Sequence, residues 1–240
     1  MTGGDANGPG ESISLPADTD ERRALADRVL DRAEELPGAF TRDDFATVVS
    51  LLSTEDSESR VAAAEALQHL HHRPELFAPF VGELLSAVEP YPDEVEGIPA
   101  PVEWMGSEEI RTLVYLSDSL ARVARERPEL FVPHAADLAE HLRSGANYPR
   151  SLLFVLGHAE AAAPGTVSRD WLRDDLSELL DRGRGNGYPS WAAGTLGALG
   201  DSEALPPLRE AHPGEQADDP TREAFDDAIA RLEAVDGDRG

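Results

Sequence analysis

Two residue types are missing from this 240-residue chain. There is no lysine, so all 21 basic residues are arginines. There is no cysteine, which excludes disulfide frameworks, thiolate metal sites and cysteine nucleophiles together. Aromatic residues are sparse, at 6% of the chain. No apolar run approaches the roughly 18 residues of a membrane span. The segment from Met1 to Pro16 is rich in Gly, with Asp and Ser among its polar residues, and has no apolar stretch of signal-peptide length. Arg22 and Arg23 are adjacent, but the acids and alanines after them do not make an export signal. The expectation is a cytoplasmic protein. Strand signals are absent as well: no alternating run is enriched in β-branched residues, and Asn186-Gly187 reads as a helix stop.

Negative charge is what the chain has in excess. Asp and Glu number 47 against 21 arginines, for a net charge of −26 spread along the whole sequence. A compact chain of this mass exposes roughly 10,500 Å², or about one net negative charge per 400 Å². Such a shell repels itself in dilute buffer, whereas in molar salt the screening length falls to about 3 Å. The composition resembles that of proteins from salt-accumulating haloarchaea, which implies that most acids serve solvation. The same charge argues against direct nucleic-acid binding, which needs clustered cations. Only a local arginine patch would reopen it. The 40% apolar content fits a globular chain, and the length fits one large domain or two small ones.

One helical pattern recurs along the chain. Asp20–Leu36 is predicted helical, with Leu25, Val29, Ala33 and Leu36 on one face, and Thr41-x-x-Asp44 has the form of a helix-capping signal. From there, apolar residues fall at i, i+3, i+4 and i+7 again and again. Examples are Phe45/Val48/Val49/Leu52, Ala63/Ala66/Leu67/Leu70, Phe77/Phe80/Val81/Leu84, and Phe225/Ala228/Ile229/Leu232. The third slots of alternate helices, Leu67, Leu120, Leu156, Leu196 and Ile229, are separated by 53, 36, 40 and 33 residues. The long step carries an insertion. Local identity supports the period: Arg73-Pro-Glu-Leu-Phe77 recurs as Arg127-Pro-Glu-Leu-Phe131, and both Tyr148-Pro149/Tyr188-Pro189 and Leu156-Gly157/Leu196-Gly197 are 40 apart. Stacked helices that each bury one stripe have this signature.

These residues resemble HEAT repeats, in particular the short HEAT-like type of phycobilin lyases. Glu65-Ala-Leu-Gln-His-Leu70, with Arg60 ahead of it, is similar to the second helix of that repeat. Ala193–Asp201 resembles its helix end and Gly-Asp turn, and Arg222, Ala228, Ile229 and Leu232 keep the spacing. The resemblance spans roughly residues 41–235. It implies an all-α fold, a right-handed α-solenoid of about five HEAT-like helix pairs. The expected organisation is a flexible tail (1–17), a capping helix (18–38), the repeat solenoid (39–235) with an insertion at 90–106, and a frayed terminus (236–240).

Candidate site residues fall in two groups. The insertion holds Pro90, Pro92, Pro99 and Pro101 together with Tyr91, Ile98, Trp104 and Met105. A loop this long without periodicity is often functional, and prolines would cut the cost of ordering it on a partner. The alternative is that Trp104 folds back into a groove between repeats. The second group, His134, Tyr148, Tyr188 and Trp191, could form a pocket on the concave face. His134 takes the core slot that Phe80 fills one repeat earlier, and Leu152–Leu156, extended by Trp191 and Tyr188, could floor the pocket or simply be buried core.

Other motifs carry less. His69 and His72 lack a third metal ligand, and the adjacent acid pairs diverge by about 100° on a helix. Gly183–Gly187 lacks the strand a dinucleotide loop requires. HEAT-like deoxyhypusine hydroxylases bind iron through His-Glu pairs, and no His-Glu dipeptide occurs here. No catalytic residue, metal or cofactor is therefore expected. The sequence points to a scaffold that binds another protein. Two alternatives remain open: a lyase-like enzyme or accessory handling a prosthetic group, with a pocket near His134, Tyr148 and Trp191, or a HEAT-like nucleic-acid glycosylase. The latter requires an arginine track from Arg111, Arg122, Arg150 and Arg184.

Overall fold

The computed structural model describes residues 14–92, 106–181, 188–214 and 219–237. Among them the chain is helical throughout, without a strand, and has the all-α solenoid architecture that the repeat predicts. It divides into two compact units. One comprises Met1–Glu89 with Val102–Ser119, the other Pro90–Pro101 with Leu120–Gly240.

The first unit opens with α1 (Thr19–Glu35), whose N-terminus is capped by Asp18 accepting from the Glu21 N–H at 3.0 Å. The buried face of α1 is Ala26, Val29 and Ala33. Leu36, predicted to share that face, lies past the helix end and is exposed. Helix α2 (Arg42–Leu52) starts with the predicted capping box. The Asp44 N–H donates to Thr41 Oγ1 at 3.2 Å, and the Thr41 N–H donates back to the Asp44 carboxylate at 2.8 Å. These reciprocal bonds satisfy two N–H groups that the helix itself leaves open. Asp56 caps α3 (Ser57–Leu70) and takes a bidentate approach from Arg23 on α1, at 2.7 and 3.0 Å. With hydrogen bonds from Arg23 and Ser59 outweighing burial, its pKa falls to about 2.

The predicted stripe Phe77/Phe80/Val81/Leu84 is buried, but no single helix carries it. The chain forms α4 (Pro74–Phe77), a 3-10 turn at Ala78–Phe80 and α5 (Val81–Ser86). Pro79 is the cause: it has no N–H to donate, so the helix is interrupted while its apolar residues still point inward. The related Pro133 acts likewise, leaving two 3-10 turns, Pro128–Leu130 and Val132–His134. Helix α6 (Glu108–Glu126) begins in the first unit, where Gln68 on α3 donates to Ser119 Oγ at 2.9 Å. It ends in the second.

The second unit continues with α7 (Ala135–Arg143), α8 (Ser151–Ala162), α9 (Arg169–Asp181), α10 (Tyr188–Leu199), α11 (Leu205–Ala211) and α12 (Asp219–Gly237). Its backbone of packing is the series α8, α10, α12, which touch in that order. Two glycines allow this. A Cβ on Gly157 would lie 2.2 Å from Thr195 Cγ2, and one on Gly197 would lie 2.9 Å from Ala228 Cα. The 40-residue recurrence of Leu-Gly thus marks the place where each of these helices receives the next. The turn between α8 and α9 is fixed by Glu160, which is fully buried. Its carboxylate accepts from the Gly165 N–H (2.8 Å), the Val167 N–H (2.9 Å) and Arg169 Nε (2.8 Å). Burial alone would raise its pKa, but these donors outweigh burial and hold it below the ordinary value.

Candidate functional site

A groove of about 560 Å³ opens in the second unit, lined by α8, α10, α12 and the end of α6. Its size is that of a ligand-binding cleft, a few hundred to a thousand Å³. The floor is Trp191 and Gly194 of α10 with Phe154 and His158 of α8. Phe154 and Trp191 meet edge to face, with ring centroids 5.5 Å apart. One wall is Arg122 and Arg125, one turn apart on α6; the other is Asp227 and Arg231 on α12.

The groove is cationic in an acidic protein. Elsewhere Arg23, Arg32, Arg150, Arg169, Arg173 and Arg209 each reach a carboxylate within 4.0 Å. Arg122, Arg125 and Arg231 make no ion pair among the described residues. The Arg122 guanidinium lies over the Trp191 ring, 5.0 Å from its centroid, and its buried Nε has no hydrogen-bond partner. Stacking on an indole fixes the plane of a guanidinium and leaves its edge N–H groups available. His158 is half-buried and neutral at pH 7. Burial, and secondarily the charge of Arg125, lower its pKa to about 4.

Of the four residues predicted to share a pocket, the structure brings Trp191 to the groove. Tyr188 is buried behind it, its ring 5.7 Å from Phe154. Tyr148 is half-buried beside His141, with centroids 6.3 Å apart, and His134 ends the 3-10 turn before α7; neither lines the groove. Leu152, Leu153, Val155 and Leu156 are core, so Phe154 alone carries the predicted apolar floor from that run. Ile98, Trp104 and Met105 of the insertion lie outside the described residues. Tyr91 is 5% exposed, and its N–H donates to the Asn147 carbonyl at 2.7 Å, which anchors it inside the second unit.

The arginine track does not assemble as predicted. Arg122 lines the groove, Arg150 turns toward Asp175 at 3.9 Å, Arg111 belongs to the first unit, and Arg184 lies outside the described residues. Sequence reasoning missed Arg125, Arg231 and His158, although a signal existed. Arg122, His158, Ala198 and Arg231 each stand two residues after a third apolar slot, and all four line the groove.

Among the described residues, one cluster has its oxygens close enough to suggest a cation: Asp170, Asp201 and Glu203. The Arg173 guanidinium already sits there, 2.9 Å from Asp201, 2.5 Å from Glu203 and 3.4 Å from Asp170. It is a structural charge network that ties α9 to the turn before α11.

Comparison with known proteins agrees with this architecture. The PBS lyase HEAT-like repeat matches residues 189–211, which span most of α10 and α11. An engineered protein of known crystal structure is similar with a TM-score of 0.60 at 16% identity, covering 91% of this chain and 93% of its own. A designed armadillo repeat protein is similar with a TM-score of 0.55 at 14% identity, covering 90% and 95%. No curated protein matches the sequence. At these identities the likeness speaks for the fold alone, a helical-repeat α-solenoid similar to HEAT and armadillo repeats, and the repeat model itself matches one helix pair of it.

Proposed function

We propose that this protein is a non-catalytic scaffold that binds another protein in the groove of its second unit, in a cytoplasm of molar salt. The observation that carries the reading is the groove itself: about 560 Å³, floored by aromatic and small residues and walled by three arginines without an ion pair. Repeat folds present extended surfaces suited to such binding. The lining chemistry favours recognition over reaction. Among the described residues His158 makes no hydrogen bond, so no oriented base stands next to a nucleophile. The salt assignment rests on the charge of −26 and the absence of lysine.

The test is affinity capture from the host lysate in molar KCl, comparing three proteins. Ala198→Trp fills the groove, and Glu140→Trp places the same bulk on the exposed side of α7. The wild type and Glu140→Trp should enrich the same partner, and Ala198→Trp should lose it while keeping its circular dichroism. A partner retained by folded Ala198→Trp would refute the groove as the binding face.

A further inference from the structure

We propose that the groove recognises a carboxylate: it receives an extended segment of the partner so that one acidic side chain is held between Arg122, Arg125 and Arg231, with an apolar neighbour on Trp191. This rests on the scaffold reading above and names the chemistry of what is bound.

Carboxylates outnumber arginines by 47 to 21, so an arginine in this chain finds an acid easily, and many do. Other arginines, such as Arg28, Arg42 and Arg111, also make no ion pair among the described residues, so what sets the groove apart is that three unpaired arginines share one space. Keeping like charges together is unfavourable unless something neutralises them. Arg122 is held in place against the groove floor: its Nε is buried without a partner, as are those of Arg60 and Arg111, so its outer N–H groups are what a ligand can meet. Its cation–π contact with Trp191, 5.0 Å from the ring centroid, restrains the guanidinium beside the apolar bed, where a carboxylate can take two of its N–H groups.

Size and polarity narrow the ligand. At about 560 Å³ the groove is far larger than a bare ion and accommodates several residues of extended chain. Trp191, Phe154, Ala198 and Ala224 give those residues an apolar bed, so part of the ligand is apolar. Three arginines offset by Asp227 leave a net charge of +2 when His158 is neutral. That suits one or two carboxylates. It does not suit a nucleic acid, whose closely spaced phosphates each call for a cation, on a chain of net charge −26. Asp227 on the rim repels a second acid on that side, which makes position along the segment matter.

The test uses the full chain in molar KCl and a random decapeptide library displayed on its encoding mRNA, selected on wild-type protein and counter-selected on Ala198→Trp. Enriched sequences should carry Asp or Glu at one position next to an apolar residue. The best synthetic peptide should lose at least about tenfold in affinity when that acid is changed to its amide. Arg122→Gln and, separately, Arg125→Gln should erase the preference for acid over amide. Arg209→Gln, which breaks a surface pair with Glu233, should leave it intact. Enrichment of apolar peptides without an acid would overturn the carboxylate claim and leave the groove reading standing. Failure to select any peptide against Ala198→Trp would overturn both. A 12-nucleotide single strand that binds more tightly than the best peptide, and is lost in Arg122→Gln, would assign the groove to nucleic acid instead.

Discussion

Gly157 offers a sharp test of how the groove helices are held. A Cβ at this position would fall 2.2 Å from Thr195 Cγ2 and 3.6 Å from Leu176 Cδ1. In a helix, Gly→Ala is otherwise favourable by about 1 kcal/mol. Here overpacking opposes it by about 1–3 kcal/mol, because Thr195 is 1% exposed and displacing its methyl disturbs the packing between the two helices. Gly157→Ala should therefore destabilise the protein by up to about 2 kcal/mol. Thr195→Ser removes the methyl and should itself cost about 1 kcal/mol of lost burial. In that background the clash is gone, and Gly157→Ala should become neutral or stabilising by up to about 1 kcal/mol, a coupling of about 1–3 kcal/mol between the two sites. Urea denaturation in molar KCl, followed by far-ultraviolet circular dichroism, measures all four corners of the cycle. The reasoning is refuted if Gly157→Ala stabilises the wild type, or if the coupling is below about 0.5 kcal/mol. Gly197 provides the contrast. Its Cβ would meet backbone, Ala228 Cα at 2.9 Å, so Ala228→Gly should rescue Gly197→Ala only in part. Because α12 would be displaced, that variant should also weaken binding through Arg231.

Three further outcomes are expected. His158 has a folded pKa of about 4 against 6.5 ordinarily, so the unfolded chain binds its proton first as pH falls. Its contribution is complete above pH 6.5 and declines toward pH 4, by up to about 3 kcal/mol; a ring titration by NMR near 6.5 would contradict this. The charged groups that share its groove are Arg122 and Arg125 from α6 and Asp227 and Arg231 from α12, and of these the charge of Arg125 acts on it. Asp56 caps α3 and pairs with Arg23, and its pKa of about 2 makes its contribution present above about pH 3.8 and lost as pH falls through 2. Asp56→Ala should cost about 2 kcal/mol at pH 7, and an unchanged urea midpoint would contradict the pairing. With a net charge of −26, stability should rise steadily between 0.1 and about 2 M KCl as screening shortens; a midpoint independent of salt would remove the electrostatic basis for the molar-salt assignment.

The helices were legible in the sequence wherever local chemistry decides them. The capping box at Thr41 and Asp44 is a contract between neighbours, and the apolar slots need only the 3.6-residue period. The prediction went astray at Pro79, where the pattern of buried residues survives a break in the helix. The groove was harder, because it depends on which faces of α6, α8, α10 and α12 share one space. Tyr148 and Tyr188 occupy equivalent places 40 residues apart, yet packing took the first to the side of His141 and the second into the core. Arg231 is 109 positions from Arg122, and only the repeat register relates them. The Leu-Gly recurrence was visible, but that each glycine makes room for the next helix requires coordinates.

The central claim, that the groove of the second unit is where a partner binds, is tested most directly by photo-crosslinking. Benzoylphenylalanine placed at Ala224, in the groove, or at Glu140, on the exposed side of α7, is irradiated in host lysate at molar KCl. The account predicts a discrete adduct from position 224, competed by the best acidic peptide, and none from 140. An adduct from 140 with none from 224 would contradict it.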